Sequence, residues 1–176
     1  MSAVTAALLG VLVVQRALEL RLAKRNEAWA RAQGAREFGA RHYPAFFVLH
    51  GGWMLGWLYE AEALPPSWWV WAAVFAAAQG LRYWAIGTLG PRWNTRVLVL
   101  PGRAPIVAGP YRFIPHPNYV AVALELAAVP LVVGATWTAL VASVLNAALL
   151  LGVRIPCEVR ALRWATEATP AAPEAA

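Results

Sequence analysis

Residues 119–153 read YVAVALELAAVPLVVGATWTALVASVLNAALLLGV, an unbroken apolar run with one charge, Glu125. A bilayer crossing needs about 20 apolar residues, so this run is too long for one helix and long enough for two. Gly134-Ala135 near its middle marks a tight turn. The run therefore predicts a helical hairpin over 119–133 and 137–153. Its first arm is short, which little tilt or a start inside the preceding loop accommodates.

Three further runs of similar character precede it, at 4–22, 43–60 and 68–89. Composition agrees with five crossings. Of the 176 residues, 60% are hydrophobic and 14% charged, against about 45–50% and 25% in soluble domains. Disorder is excluded by the same figures. The ten Trp gather near the ends of the apolar runs, where interface anchors sit. The single cysteine, Cys157, excludes an intramolecular disulfide framework and a multi-cysteine zinc site, and no metal is expected. A cleavable signal peptide is not expected, because the first run lacks a basic leader and a small-residue cleavage site.

The net charge of +6 reflects placement rather than nucleic acid. Lys24, Arg25, Arg31, Arg36 and Arg41 lie between the first two runs. Arg92, Arg96, Arg103 and Arg112 lie between the third and fourth. Arg154, Arg160 and Arg163 follow the fifth. The intervening segments 61–67 and 134–136 hold no Lys or Arg. Five crossings put every basic segment on one side, so the N-terminus is expected outside and the C-terminus in the cytoplasm. The expected architecture is an all-α integral membrane bundle of five helices over 1–166, with a disordered tail at 167–176.

Ionisable groups at membrane depth mark function or interhelical glue. Gln15, Arg16 and Glu19 share one face of the first helix, and Gln79, Arg82 and Tyr83 one face of the third. Glu125 needs a cation, and Arg82 or Arg154 is expected to supply it. A straight helix would align Asn146, Arg154 and Glu158, with Pro156 intervening. His50 reads as a core histidine beside the Gly52-x-x-x-Gly56 spacing, which permits close helix approach. The polar faces of helices three to five point to one cytoplasmic cavity built from the C-terminal half. The stretch 90–118 is the least membrane-like, and 96–100 reads as a short strand.

Two motifs then stand out, GPYRFIPHPNY (109–119) and RIPCEVRAL (154–162), separated by the hairpin. Together they resemble the signature of the isoprenylcysteine carboxyl methyltransferase family. LGPRWNTRVLVLPG (89–102), RNEAW (25–29), Gly34-Ala35, Glu37 and His42-Tyr43 are similar to a bacterial subgroup that O-methylates alkylpyrones or alkylresorcinols. The resemblance implies a bacterial inner-membrane methyltransferase that uses S-adenosylmethionine. Carried over by motif, Gly109, Tyr111, His116, Pro117, Tyr119, Arg154 and Glu158 bind the cofactor. Pro115 stands where the family has Arg, and Val159 where it has a second Glu.

For the chemistry, Glu158 suits the cofactor's ammonium or ribose as an acceptor. His116 and Arg154 suit its carboxylate. Tyr111, Tyr119 and Trp93 suit the adenine or sulfonium. His116 or Glu125 would take a proton from a hydroxyl acceptor. Trp93, Arg82 and Trp53 would contact a lipophilic acceptor entering from the bilayer, past Phe46, Phe47 and Trp84. O-methylation of a polyketide-derived phenol or pyrone is the expected reaction, and carboxyl methylation of a prenylated or other lipophilic acid is the alternative within enzymes. An inactive scaffold would be explained by Pro115 and Val159. A small transporter would spread its polar residues along the whole axis and show a half-chain repeat.

Overall fold

The computed structural model describes residues 2–168. Its helices are α1 (Ala3–Ala32), α2 (Tyr43–Glu60), α3 (Trp68–Leu89), α4 (Pro117–Val132), α5 (Thr136–Leu149) and α6 (Ile155–Glu167). A π turn, Leu150–Arg154, joins α5 to α6 without a break. Two short strands, β1 (Arg36–Phe38) and β2 (Val97–Val99), and three 3-10 turns, Ala40–His42, Gly90–Arg92 and Gly109–Arg112, complete the elements of the described residues.

α1 is longer than its apolar run. Ser2 caps it by accepting from the Thr5 amide, and no proline interrupts it before Gly34, whose φ of 77° turns the chain away. α4 begins two residues earlier than hydropathy suggests. Pro117 supplies the preset φ of a first helical position, where its missing N–H is no loss. α6 runs through Glu167, where the sequence suggests that a tail at 167–176 begins. Residues 169–176 lie outside the described residues.

Pro156 has no N–H to offer the carbonyl four residues back, at Gly152. The π turn falls on that stretch and takes up the lost bond. It also rotates the helix. Arg154 and Glu158 face the cavities described below, whereas Asn146 is buried away from them. The straight-helix alignment of all three therefore does not hold.

α4 lies at the centre, packed against α3 and α5, while α2 packs against α5. Leu12, Leu49, Trp57, Leu126, Val129 and Val132 form the main apolar core. The Trp53 indole N–H donates to the Leu126 carbonyl at 3.0 Å and ties α2 to α4. Of the two spaced glycines, only Gly56 meets a neighbour: a Cβ there would lie 2.9 Å from Thr138 Oγ1 of α5. Gly52 faces open space.

The expected strand at 96–100 forms as β2. Its partner β1 is an addition to the all-α expectation. The strands run antiparallel with Glu37 opposite Leu98. Val97 and Val99 bury against Ala161 and Ala165 of α6. Glu37 accepts from Arg31 and Arg96, each at 2.6 Å, which fixes the sheet to the end of α1. Part-burial of the Glu37 carboxyl opposes its ionisation, but those two guanidinium hydrogen bonds outweigh it and hold its pKa below the ordinary value.

α1 and the continuous helix Thr136–Glu167 are long and apolar enough to cross a membrane, and α4 is a shorter apolar helix. Val14, Leu18, Val48, Leu55, Leu140 and Val144 are all exposed on α1, α2 and α5. A soluble surface does not leave so much apolar area in water. Such a surface fits contact with lipid.

Candidate functional site

Two cavities open side by side at the end of the bundle that carries the sheet. The first, of about 160 Å³, lies between the end of α1, strand β2, the loop around Pro91, the start of α4 and the turn into α6. Tyr111, His116, Tyr119, Arg154 and Glu158 all line it. The second, of about 450 Å³, is mainly apolar and is walled by Phe46, Phe47, Trp53, Met54, Val122 and Leu150. Trp93, Asn94, Asn118, Tyr119 and Arg154 line both, so these five form a common wall.

A polar chain organises that wall. The Tyr119 hydroxyl donates to Glu158 and accepts from Arg154 Nε at 3.0 Å. Arg154 also donates through a terminal nitrogen to the Thr95 carbonyl at 2.8 Å, and its guanidinium lies 5.8 Å from the Phe46 ring centroid. Two of the nitrogens that would grip a carboxylate are thus already engaged, and Arg154 holds the site's frame. His116 stacks on Tyr119 with ring centroids 5.4 Å apart, and its Nδ1 stands 3.7 Å from Glu158. Burial and the charge of Glu158 together push the Tyr111 hydroxyl pKa up, so it stays a neutral donor.

Two polar atoms on the wall have no hydrogen-bond partner among the described residues, the Trp93 indole nitrogen and Asn118 Oδ1. Buried polar atoms are ordinarily paired, so these fit a ligand that brings its own polar groups. Sequence reasoning missed Asn118, although it lies inside the quoted His-Pro-Asn-Tyr run. It also missed Thr95, whose carbonyl role has no side-chain signature.

Some other residues singled out by the motifs stand back from the cavities. Pro117 is buried at the start of α4. Gly109 shapes the entry turn: its φ is +54°, and a Cβ there would lie 2.4 Å from Thr88 Oγ1. Pro115 lines the first cavity where the family has Arg. Val159 lines neither cavity and is 36% exposed. Trp84 is exposed and lines neither cavity.

Glu125 belongs to a buried charged network whose Arg16, Glu19 and Arg82 also line the second cavity. It is fully buried and accepts from Arg16, from Arg82 at 2.7 Å and from Gln79 at 2.8 Å. Arg16 also donates to Glu19 at 2.5 Å, and Gln15 bridges Glu19 and Gln79. Two arginines and two glutamates cancel, joining α1, α3 and α4 without net charge. Arg82 is therefore a cation for Glu125, as expected, while Arg16 is a second that the sequence did not indicate; Arg154 is not involved. Glu125 lines neither cavity, whereas Arg82 and Trp53 line the second and Trp93 lines both.

The isoprenylcysteine carboxyl methyltransferase family model matches residues 71–164. That segment runs from α3 to α6 and supplies most of the first cavity. The uncharacterized protein YpbQ of Bacillus subtilis (strain 168) is 42% identical over 160 residues, covering 89% of this chain and 95% of its own. No solved structure matches.

Proposed function

The chain belongs to the isoprenylcysteine carboxyl methyltransferase family, a family of membrane methyltransferases, and on that premise we propose that it uses S-adenosylmethionine to methylate a lipophilic acceptor. The acceptor is a polyketide-derived phenol or pyrone drawn from the bilayer. In the bacterial inner membrane, five helices cross with the N-terminus outside and both cavities toward the cytoplasmic end. The distribution of basic residues supports that orientation.

The observation that carries this reading is the common wall. A small polar cavity and a larger apolar one share Trp93, Asn118, Tyr119 and Arg154. Such an arrangement suits a polar donor molecule and a lipid acceptor that meet at one point. When bound, the cofactor supplies an electrophilic methyl group on a sulfonium.

The residues of the first cavity fit that molecule. The Glu158 carboxylate accepts hydrogen bonds from an ammonium or from ribose hydroxyls. Arg154 holds the Tyr119 hydroxyl, which in turn orients Glu158. The stacked His116 and Tyr119 rings offer aromatic faces to a cation, an attraction of roughly 0.5–2 kcal/mol. Trp93 and Asn118 stand where the two ligands meet, with polar atoms to spare. Phe46, Phe47 and Met54 exclude water from the acceptor's side and seat its hydrocarbon chain. Holding two reactants in line supplies about 7–11 kcal/mol of a bimolecular barrier, and no metal is needed for such a displacement.

Calorimetry of S-adenosylhomocysteine with the detergent-purified chain tests the reading. Micromolar binding, weakened at least tenfold by Glu158→Ala or His116→Ala, is expected. No binding by a folded wild type would refute it, and Pro115 would become the first residue to revert.

A further inference from the structure

The second cavity contains an imidazole with no assigned task. His50 of α2 lines it, one helical turn beyond Phe46. Its Nδ1 lies 2.8 Å from the Phe46 carbonyl. A carbonyl only accepts, so Nδ1 carries the hydrogen and Nε2 of the neutral ring bears a free lone pair. No partner for that lone pair exists among the described residues. The ring is thus held in one tautomer, on the wall of the cavity that would hold the acceptor.

From this we infer that His50 is the general base for the acceptor, and that the acceptor accordingly presents a hydroxyl rather than a carboxylate. The inference deepens the two-cavity reading above and rests on it. It follows by comparing the available bases. His116 lines only the cofactor's cavity, and Glu125 lines neither. Glu19 does line the acceptor's cavity, but Gln15, Arg16 and Arg82 occupy its oxygens. The hydroxyl of Tyr43 is engaged with Thr95 Oγ1 at 2.8 Å, and that of Tyr119 with Glu158 and Arg154. Among the described residues, His50 is the one imidazole on the acceptor's wall. The charged groups around it are Arg16 and Glu19 from α1, Arg82 from α3, Glu125 from α4 and Arg154 from the π turn. The two carboxylates among them are neutralised by Arg16 and Arg82, so neither competes for the proton.

The step balances. The acceptor's O–H proton passes to His50 Nε2 while an oxygen lone pair forms the new O–C bond. The C–S bond of the methyl sulfonium breaks, and its electron pair stays on sulfur. The imidazolium then releases its proton to solvent. A carboxylate acceptor has no proton to lose and would gain nothing from His50.

The test uses the full chain in lipid nanodiscs, with His50→Gln and His50→Ala. S-adenosylhomocysteine binding is measured first, and both variants are expected to match the wild type within about twofold. Transfer of a labelled methyl group to 5-pentadecylresorcinol is measured next. Each variant is expected to lose about 100-fold or more at pH 7. The wild-type rate should rise with pH and then level off, as loss of a proton from a single general base dictates. Both variants should lose that limb, and added imidazole should restore part of the His50→Ala rate. A variant with the wild-type rate and pH profile would overturn the role of His50. So would a wild type that binds S-adenosylhomocysteine yet leaves the resorcinol unmethylated, whether or not it methylates a farnesylated cysteine carboxylate. Absence of S-adenosylhomocysteine binding by a folded wild type would instead overturn the cofactor reading beneath it.

Discussion

Tyr119, in the first turn of α4, donates its hydroxyl hydrogen to Glu158 of α6, thirty-nine residues away in sequence. The same oxygen accepts from Arg154 Nε. One phenol thus joins the two charges Arg154 and Glu158 of the C-terminal motif to the His-Pro-Asn-Tyr motif. Tyr119→Phe removes the joint and leaves a carboxylate and a guanidinium short of a partner. Hydrogen bonds to charged groups are worth about 1.5–3 kcal/mol. S-adenosylhomocysteine affinity is therefore expected to fall at least tenfold by calorimetry. A change under twofold would show that the chain of bonds does not shape the cofactor's cavity.

Glu125 predicts the opposite pattern. It lines neither cavity, yet it balances two buried arginines. Glu125→Gln leaves one positive charge in excess among α1, α3 and α4. Breaking a buried pair costs about 3–5 kcal/mol. The thermal midpoint in detergent should drop by roughly 6 °C or more, while S-adenosylhomocysteine affinity of the folded fraction stays within about twofold. A large loss of affinity at unchanged stability would assign Glu125 to the site after all.

Gly109 tests the entry turn. At φ +54° a side chain is strained, and here it would also meet Thr88 Oγ1 at 2.4 Å. Such strain is worth on the order of 1–3 kcal/mol. Gly109→Ala should lower the thermal midpoint and weaken S-adenosylhomocysteine binding together, because Tyr111 and His116 follow on the same loop. Equal behaviour of variant and wild type in both measurements would refute the packing argument.

Glu37 gives a pH dependence. Its folded pKa is depressed from an ordinary value near 4.5 because Arg96 and Arg31 outweigh the effect of part-burial. A depressed carboxyl stabilises the fold fully above its unfolded pKa and loses that contribution as pH falls through the folded value. The β1–β2 pairing should therefore loosen below about pH 4. Hydrogen exchange at the Phe38 and Val97 amides should speed up there, relative to core amides of α4. Glu37→Gln should show the fast exchange already at pH 7, and slow exchange in that variant would count against the bridge.

Much of this protein was legible in its sequence because the bilayer imposes a strict rule. Backbone polar groups in hydrocarbon must be satisfied within the segment, so long apolar runs become helices. Residues 43–60 and 68–89 map directly onto α2 and α3. The motifs at 109–119 and 154–162 were legible for a second reason: they hold many functional residues in few positions. His116, Tyr119, Arg154 and Glu158 do converge on one cavity.

What the sequence left open depended on partners distant along the chain. Arg16 shares a helix face with Glu19, but nothing in its own helix indicates Glu125, 109 positions away. β1 was invisible because three residues, Arg-Glu-Phe, carry no strand period; pairing with β2 and cover from α6 create it. Pro156 signalled an irregularity, yet only the packed helix fixes it as a π turn that separates Asn146 from Arg154. His50 read as an ordinary core histidine, because a single titratable residue in an apolar run gives no direction for its ring. The sequence by itself determined which segments are helices and which motifs hold the chemistry, since both follow from local composition and spacing. Only the tertiary structure decided that two cavities share the wall of Trp93, Asn118, Tyr119 and Arg154, and that His50 opens onto one of them. Those are matters of which faces meet, and local sequence does not encode the meeting of faces.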